Sequence, residues 1–227
     1  MALSHGAWCP RLPCGARPSA GGAATWGADM AAISGMLRFD GAPGAGELTR
    51  RIAGCMSHRS PGGIRGHDAC AVALGFGALH PNPQSLLEIQ PVLLPEDALL
   101  VVDGRIDDRA ALSKSMGFDR SALADTGDAQ LFALAWLRWR ENLWRNVLGD
   151  YALAVWEPAR GQLSLVRDRI GVRPLYWART ASMLAFASRT GNATGDRRDF
   201  RRTQSRSLGQ QPGPDVRRLR SWGNDLS

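Results

Sequence analysis

The sequence contains no run of about eighteen apolar residues, so it predicts no membrane-spanning helix. Residues 1–29 lack the basic start and the continuous apolar core of a secretory signal peptide, and we therefore expect a cytoplasmic protein. The four cysteines, Cys9, Cys14, Cys55 and Cys70, form no C-x-x-C pair and show no zinc-ligand spacing. We interpret them as free thiols and predict no metal site.

Lysine is almost absent, because Lys114 is the only one in a chain of net charge +7. Residues 189–227 contain nine arginines and four aspartates, so five of the seven positive charges lie in this tail. The rest of the chain is close to neutral, and a nucleic-acid footprint needs a basic face on the folded part. We therefore do not expect nucleic acid as a partner. The weaker alternative is that the tail binds polyanions in a salt-dependent way.

Three zones differ in composition. Residues 1–29 are rich in Gly, Ala and Pro without periodicity, and we expect them to be disordered or to reflect a start codon assigned too early. Residues 30–188 carry regular apolar patterns and form the predicted domain. Residues 189–227 have too few apolar residues to bury a core, so we expect a disordered tail or an out-of-frame translation product.

Strand and helix patterns alternate in the middle zone. Strands are predicted at 32–39, where an Asp40-Gly41 turn follows, and at 98–102, 151–156, 162–166 and 183–187. Helices are predicted at 47–56 and 128–144 from apolar residues at helical spacing. Strands, hairpins and helices in this arrangement predict an α+β layered sandwich.

Short motifs follow one another in a fixed order between residues 30 and 188. They are Met30-Ala31-Ala32-Ile33-Ser34-Gly35, His58-Arg59-Ser60-Pro61-Gly62-Gly63, Gln90-Pro91, Asp103-Gly104-Arg105-Ile106-Asp107, Asp128-Ala129-Gln130, Gly149-Asp150-Tyr151-Ala152-Leu153-Ala154-Val155-Trp156, Arg167-Asp168-Arg169-Ile170-Gly171-Val172-Arg173-Pro174-Leu175-Tyr176 and Phe186-Ala187-Ser188. The ordered set resembles the N-terminal domain of asparagine synthetases, a class II glutamine amidotransferase of the N-terminal-nucleophile type. The Asp103–Asp107 motif is most similar to asparagine-synthetase-like proteins of lasso-peptide clusters.

The resemblance implies an αββα sandwich of two antiparallel sheets with flanking helices. It also implies a chemistry, in which an N-terminal cysteine attacks the side-chain amide of glutamine and its own α-amine acts as the base. The ammonia then reaches a synthetase domain, where ATP activates a carboxylate. We expect ATP and Mg²⁺ only for that synthetase domain and no cofactor for this chain, which has no S-G-G-x-D-S motif.

Two positions depart from the family. The nucleophile position holds Ala31, which has no thiol, and neither Cys55 nor Cys70 can present a terminal amine beside its sulfur. The oxyanion position holds Asp103 in place of an asparagine, and an ionised carboxylate repels a developing oxyanion. Gly104 still matches the family and could donate its backbone N–H. We therefore predict no glutaminase activity.

The positions that bind glutamine in the family are partly retained. Arg59 matches the arginine that pairs with the α-carboxylate, and Asp128 matches the aspartate that binds the α-ammonium. The alternatives are a loop-stabilising arginine and a helix N-cap. We interpret His58 as a loop support, and Arg167, Asp168 and Arg169 as a structural ion-pair network.

The sequence leaves two hypotheses for the function of the chain, which belong to different functional classes. In the first, the chain is the glutaminase-like part of an ATP-dependent amidotransferase, and its partner is the synthetase domain of the parent enzyme. In the second, it is a free-standing regulatory or binding module for glutamine or a similar amino acid. A homodimer is left open, and the tryptophans Trp136, Trp139 and Trp144 are predicted to pack in the core or at an interface.

Overall fold

Two antiparallel β-sheets stack face to face and carry helices on their outer surfaces. The computed structural model describes residues 31–54, 56–57, 60–69, 71–79, 88–117, 126–189, 206–207 and 215–220. The helices are α1 (Ala45–Gly54), α2 (Arg109–Met116) and α3 (Asp128–Trp139). The strands are β1 (Ala32–Arg38), β2 (Ile64–Ala69), β3 (Val72–Gly77), β4 (Val92–Leu93), β5 (Leu99–Ile106), β6 (Gly149–Glu157), β7 (Gln162–Arg167), β8 (Tyr176–Arg179), β9 (Met183–Ala187), β10 (Arg206–Ser207) and β11 (Asp215–Arg220).

The first sheet has the strand order β10-β8-β9-β1-β3-β2, and the second has the order β11-β7-β6-β5-β4. The central strands β1 and β5 face each other across the sandwich. Because side chains alternate along a strand, Ile33 and Leu37 of β1 and Leu99 and Val101 of β5 enter one inter-sheet core. This confirms the predicted α+β sandwich of two antiparallel sheets.

The outer surfaces of the sheets are covered by helices. Helix α3 buries Phe132 and Trp136 against the second sheet, where the Phe132 ring lies 5.0 Å from the Tyr151 ring. Helix α1 lies on the first sheet, with Ile52 and Ala45 in two smaller clusters. Across the described ranges, no helix is long and apolar enough to cross a membrane.

The helix boundaries differ from the sequence prediction. Helix α1 lies two residues earlier than predicted. Helix α3 stops at Trp139, since Arg140 has a φ of 52° and a 3₁₀ turn follows over Arg140–Arg145. Helix α2 was not predicted, although Asp108 caps its start and Gly117 ends it in the left-handed conformation.

Two strands lie in the tail that was expected to be disordered. Strand β10 pairs with β8 at the edge of the first sheet, and β11 pairs along the whole of β7 in the second. Disorder is therefore wrong for these two segments. The physical reason is that the edge of a sheet offers unpaired N–H and C=O groups to any extended chain, whatever its apolar content. Residues 190–205, 208–214 and 221–227 lie outside the described residues, as do residues 1–30.

Candidate functional site

The residue at the nucleophile position stands directly before β1. Ala31 is half-buried and packs against the inter-sheet core. The strand behind it is held by Ser188, whose Oγ accepts from the Ile33 N–H at 3.0 Å and whose N–H donates to the Ile33 carbonyl at 2.9 Å. The start of β1 is thus firmly placed, and the side chain that it presents at residue 31 is a methyl group.

The loop that carries the predicted arginine packs beside this strand end. Ser60 is buried and lies so close to β3 that a Cβ on Gly77 would stand 1.9 Å from its Oγ. Gly77 is in turn the strand partner of Ala32. Only glycine allows this close approach of loop and strand. His58 and Arg59 lie outside the described residues, so their roles remain predictions.

Asp103 lies on the inner surface of β5, in the same layer as Val101, and is 1% exposed. Its Oδ1 is 3.5 Å from Nη1 of Arg173, whose side chain is 11% exposed. The carboxylate at the oxyanion position therefore faces a guanidinium from the loop after β7. This partner was missed from the sequence, where Asp103 was treated only as a repulsive charge. The structure shows that its charge is balanced within the protein.

Gly104 has a packing reason to be glycine. It pairs with Tyr151 of β6, and a Cβ on Gly104 would lie 2.6 Å from the Tyr151 Cβ. The close approach of the two strands excludes any larger residue. Its match to the family is thus explained without an oxyanion role, which remains a prediction.

Asp168 organises the loop that delivers Arg173. Its Oδ1 accepts from the N–H groups of Ile170 at 2.9 Å, Gly171, and Val172 at 3.2 Å. Its Oδ2 accepts from the N–H groups of Tyr151 at 3.3 Å and Arg173 at 3.4 Å. One buried carboxylate thereby holds the loop together and ties it to β6.

The neighbouring arginines complete this loop. Arg167 donates from Nε to the Arg173 carbonyl at 2.6 Å and also to the Gly171 carbonyl. The Arg169 guanidinium lies 5.4 Å from the centre of the Trp144 ring, a cation–π contact. The structural role predicted for the motif agrees with these contacts. Arg167 and Asp168 hold backbone groups of the loop and Arg169 lies over an aromatic ring, while the ion-pair network predicted for the motif stays a prediction.

Asp128 is the first residue of α3, and the N-cap is Gly127. The predicted alternative, in which Asp128 caps the helix, is therefore wrong. Its Oδ2 accepts from the Ile106 N–H at 3.2 Å, and its Oδ1 is paired with Arg109. The backbone N–H of Asp128 donates to the Oε1 of Glu88 at 3.1 Å, so Glu88 provides a side-chain acceptor at the start of the helix. Two carboxylates and one guanidinium thus meet at the start of α3, where the partial positive charge of the helix favours anions.

Burial raises the pKa of both carboxyls in this cluster. The pKa of Glu88 is raised first by burial and then by the charge of Asp128. The pKa of Asp128 is raised by burial, against opposing hydrogen bonds from Ile106 and attraction to Arg109. These groups therefore hold their protons to a higher pH in the folded state than in the unfolded chain.

Because the folded pKa values are raised, the free energy of unfolding that these two carboxyls contribute should fall as the pH rises above about 4. The contribution of the two carboxyls is complete below their unfolded pKa values of about 4 and is lost as the pH rises through the folded values. Replacing Glu88 with glutamine should flatten the dependence and raise the urea midpoint at pH 7. Urea unfolding of wild type, Glu88→Gln and the exposed control Glu96→Gln between pH 4 and pH 7 measures this. Equal slopes for all three proteins would contradict the assignment.

The tryptophans pack as predicted. Trp136 is fully buried in the core beneath α3, and Trp139 lies half-buried at its margin. Trp144 is also half-buried, and the Arg145 guanidinium lies 4.7 Å from its ring centre. Within the described ranges, no cluster of three or more His, Cys, Asp or Glu side chains is placed to hold a metal ion.

The family comparison identifies this arrangement. Residues 83–193 match the family described as "Glutamine amidotransferase domain". Over this stretch, just under half of its length, the chain is similar to class II glutamine amidotransferase domains. The match includes both Asp103 and Asp128 and the loop around Asp168, so the buried clusters described above lie within the matched region, which we call the amidotransferase domain.

Curated relatives of the amidotransferase domain are asparagine synthetases. The chain is 26% identical over 165 residues to "Asparagine synthetase [glutamine-hydrolyzing] 2" of Bacillus subtilis (strain 168), covering 70% of this chain and 21% of that protein. It is also 26% identical over 172 residues to "Putative asparagine synthetase [glutamine-hydrolyzing]" of Mycobacterium tuberculosis (strain H37Rv), covering 70% and 26%. The amidotransferase domain is related to these proteins, and the chain spans about a quarter or less of their length.

Solved structures show the same fold. The glutamine phosphoribosylpyrophosphate amidotransferase of B. subtilis, complexed with ADP and GMP, superposes with a TM-score of 0.59 at 15% identity, covering 82% of this chain and 49% of that one. A second structure, described as the allosteric regulatory enzyme of purine biosynthesis, gives a TM-score of 0.56 at 15% identity, covering 82% and 48%. These likenesses place the amidotransferase domain in the N-terminal-nucleophile fold predicted from the motifs.

Proposed function

We propose that this domain is the glutaminase-like part of an asparagine-synthetase-type amidotransferase and that it does not hydrolyse glutamine. The observation that carries the proposal is Ala31, whose methyl group packs on the inter-sheet core at the position of the nucleophile. A methyl group can form no thioester, so the covalent route of the family is closed at its first step. The relationship to asparagine synthetases supports the parent enzyme class.

The Asp103–Arg173 pair supports the same proposal. In the family, the position of Asp103 supplies an amide N–H donor to the oxyanion, and the loss of one such donor costs about 3–4 kcal/mol of transition-state stabilisation. Here that position holds an acceptor engaged by a guanidinium inside the sandwich. The domain would then act as a structural cover for a synthetase domain that binds ATP and Mg²⁺. The resemblance to lasso-peptide proteins favours a peptide carboxylate as the acceptor.

Glutamate release from glutamine tests the proposal. Purified full-length chain should release no glutamate above the blank, before or after treatment with iodoacetamide. The matched variant Asp103→Asn restores the family amide without restoring a thiol, and it should be equally inactive. Steady release by the wild type that iodoacetamide abolishes would contradict the proposal, because a cysteine would then be serving as the nucleophile.

The second candidate is an amino-acid-binding module. It is supported by the presence of Arg59 and Asp128 at the family's glutamine-binding positions. The contacts of Asp128 with Arg109 and Ile106 count against it, because an α-ammonium group would compete with both. Calorimetric titration with glutamine separates the two candidates. Heat of binding at millimolar glutamine that disappears in Arg59→Ala would favour the module, and no heat would favour the structural domain.

A further inference from the structure

The two strands of the tail cover one open side of the sandwich. Strand β10 extends the first sheet beyond β8, and β11 extends the second sheet beyond β7. All six residues of β11 are in antiparallel register with β7, from Asp215 opposite Arg167 to Arg220 opposite Gln162. Without β11, the edge of the second sheet would be β7.

Strand β7 has none of the features that usually protect an edge. Its sequence, Gln162 to Arg167, contains no proline, no glycine and one charge at its last position. Leu163 and Leu165 are fully buried in the inter-sheet core. An extended, apolar and almost uncharged edge of this kind readily pairs with another strand.

Two of the other outer strands, β4 and β2, are protected. Strand β4 is only two residues long and lies between Pro91 and Pro95. Strand β2 carries the exposed residues Arg65, His67 and Asp68. Short length, proline and charge each discourage pairing between sheets. Among these edges of the described sandwich, β7 is therefore the one that needs a cover.

Strand β11 has the composition of a protective edge. Four of its six residues are charged, and Pro214 precedes it. When β11 pairs with β7, the outer edge of the second sheet is therefore a charged strand instead of an apolar one. This composition was attributed to disorder or to an out-of-frame tail when only the sequence was considered.

We propose that the β7 edge is an interaction surface for a second copy of this chain, and that β11 covers it in the monomer. Two β7 strands can pair antiparallel about a two-fold axis, since such an interface uses the same surface on both copies. In that register Gln162 of one copy lies opposite Arg167 of the other, so the two arginines stand at opposite ends. The like charges therefore do not oppose the pairing.

Proline substitutions in the full-length chain test this proposal. Successive N–H groups of a strand point in opposite directions, so Arg217 and Arg218 differ in which one donates toward β7. Arg217→Pro and Arg218→Pro remove the same charge, but only one of them removes a ladder hydrogen bond. Hydrogen exchange of the β7 amides and the molar mass from light scattering are measured for both variants and the wild type.

One of the two proline variants should release β11 from β7, and the other should behave like the wild type. In the releasing variant, the β7 amides that face β11 should exchange about tenfold faster or more at low protein concentration, while those that bond to β6 stay protected, and a discrete dimer should form as the concentration rises. The wild type should be monomeric with protected β7 amides. Unchanged exchange in both variants, equal release in both, or release without dimerisation would each overturn the proposal. A wild-type dimer with protected β7 amides would overturn it as well, since the cover would then come from the other copy.

Discussion

Replacing Arg173 with methionine should lower the free energy of unfolding by about 3–5 kcal/mol, because it leaves Asp103 without its cationic partner inside the sandwich. Methionine retains much of the apolar stem, so the change removes mainly the charge. Asp103 is 1% exposed, and water cannot replace the guanidinium there. Urea unfolding followed by circular dichroism measures the loss.

Two further variants separate charge from packing. Arg105→Met removes ion pairs with Asp107 and Asp150 from a side chain that is 62% exposed, and should cost about 0–1 kcal/mol. The double variant Asp103→Leu with Arg173→Met replaces the pair by apolar groups and should recover much of the loss. A single variant at Arg173 that costs no more than Arg105→Met would show that the buried pair contributes little.

Replacing Asp168 with alanine should lower the free energy of unfolding by about 3 kcal/mol or more, since each buried N–H left without its acceptor costs about 1–3 kcal/mol. The side chain accepts from backbone groups on both sides of the loop and from Tyr151 of β6. Burial, together with the charge of Asp168, also raises the pKa of Tyr151. Asp168→Asn should cost less, because one acceptor oxygen remains.

Replacing Asp168 with alanine should also loosen the loop of residues 170–173. Amides of residues 170–173 should exchange faster in Asp168→Ala, and the exposed control Asp107→Ala should leave them unchanged. Because Asp168 accepts from the Arg173 N–H at 3.4 Å, the losses in Asp168→Ala and Arg173→Met should not be additive. Additive losses with unchanged exchange would mean that Asp168 does not position Arg173.

Five of the described strands were predicted from the sequence, whereas β2, β3, β4, β8, β10 and β11 were not, and the helix ends were displaced. Apolar runs in the sequence located β9 to the residue and β1 to within one residue. Helix α3 was predicted five residues too long, since apolar spacing continues past Arg140 while the backbone there turns to a positive φ. The cap signals of α2, Asp108 and Gly117, were present in the sequence and would have located it.

The sequence indicated which residues belong to the candidate site, but not which residues they contact. The sequence placed Asp128 near a helix start, but Asp103-Gly104 was read as a turn, whereas β5 continues through both residues to Ile106. The motifs did not reveal Arg173, Arg109 or Glu88, because these contacts join segments that are distant in the chain. No local pattern encodes such a pair, and only the packing of the sheets and helices brings it together.

These contacts explain how the domain can keep its fold without its nucleophile. The loop held by Asp168 inserts Arg173 beside Asp103, and the start of β1 is fixed by Ser188. None of these interactions needs a thiol at residue 31. We therefore expect the sandwich to be retained for structural reasons in a domain that we propose has lost the glutaminase chemistry.

A covalent trap for nucleophiles tests the loss of this chemistry most directly. A diazoketone analogue of glutamine alkylates an activated thiol in a glutamine-binding site, and peptide mass mapping then locates the adduct independently of any contaminating enzyme. We predict that the full-length chain, at equimolar analogue, gains no adduct that excess glutamine prevents. A stoichiometric, glutamine-protected adduct on Cys55 or Cys70 would contradict the account, because another cysteine would then have replaced the missing nucleophile.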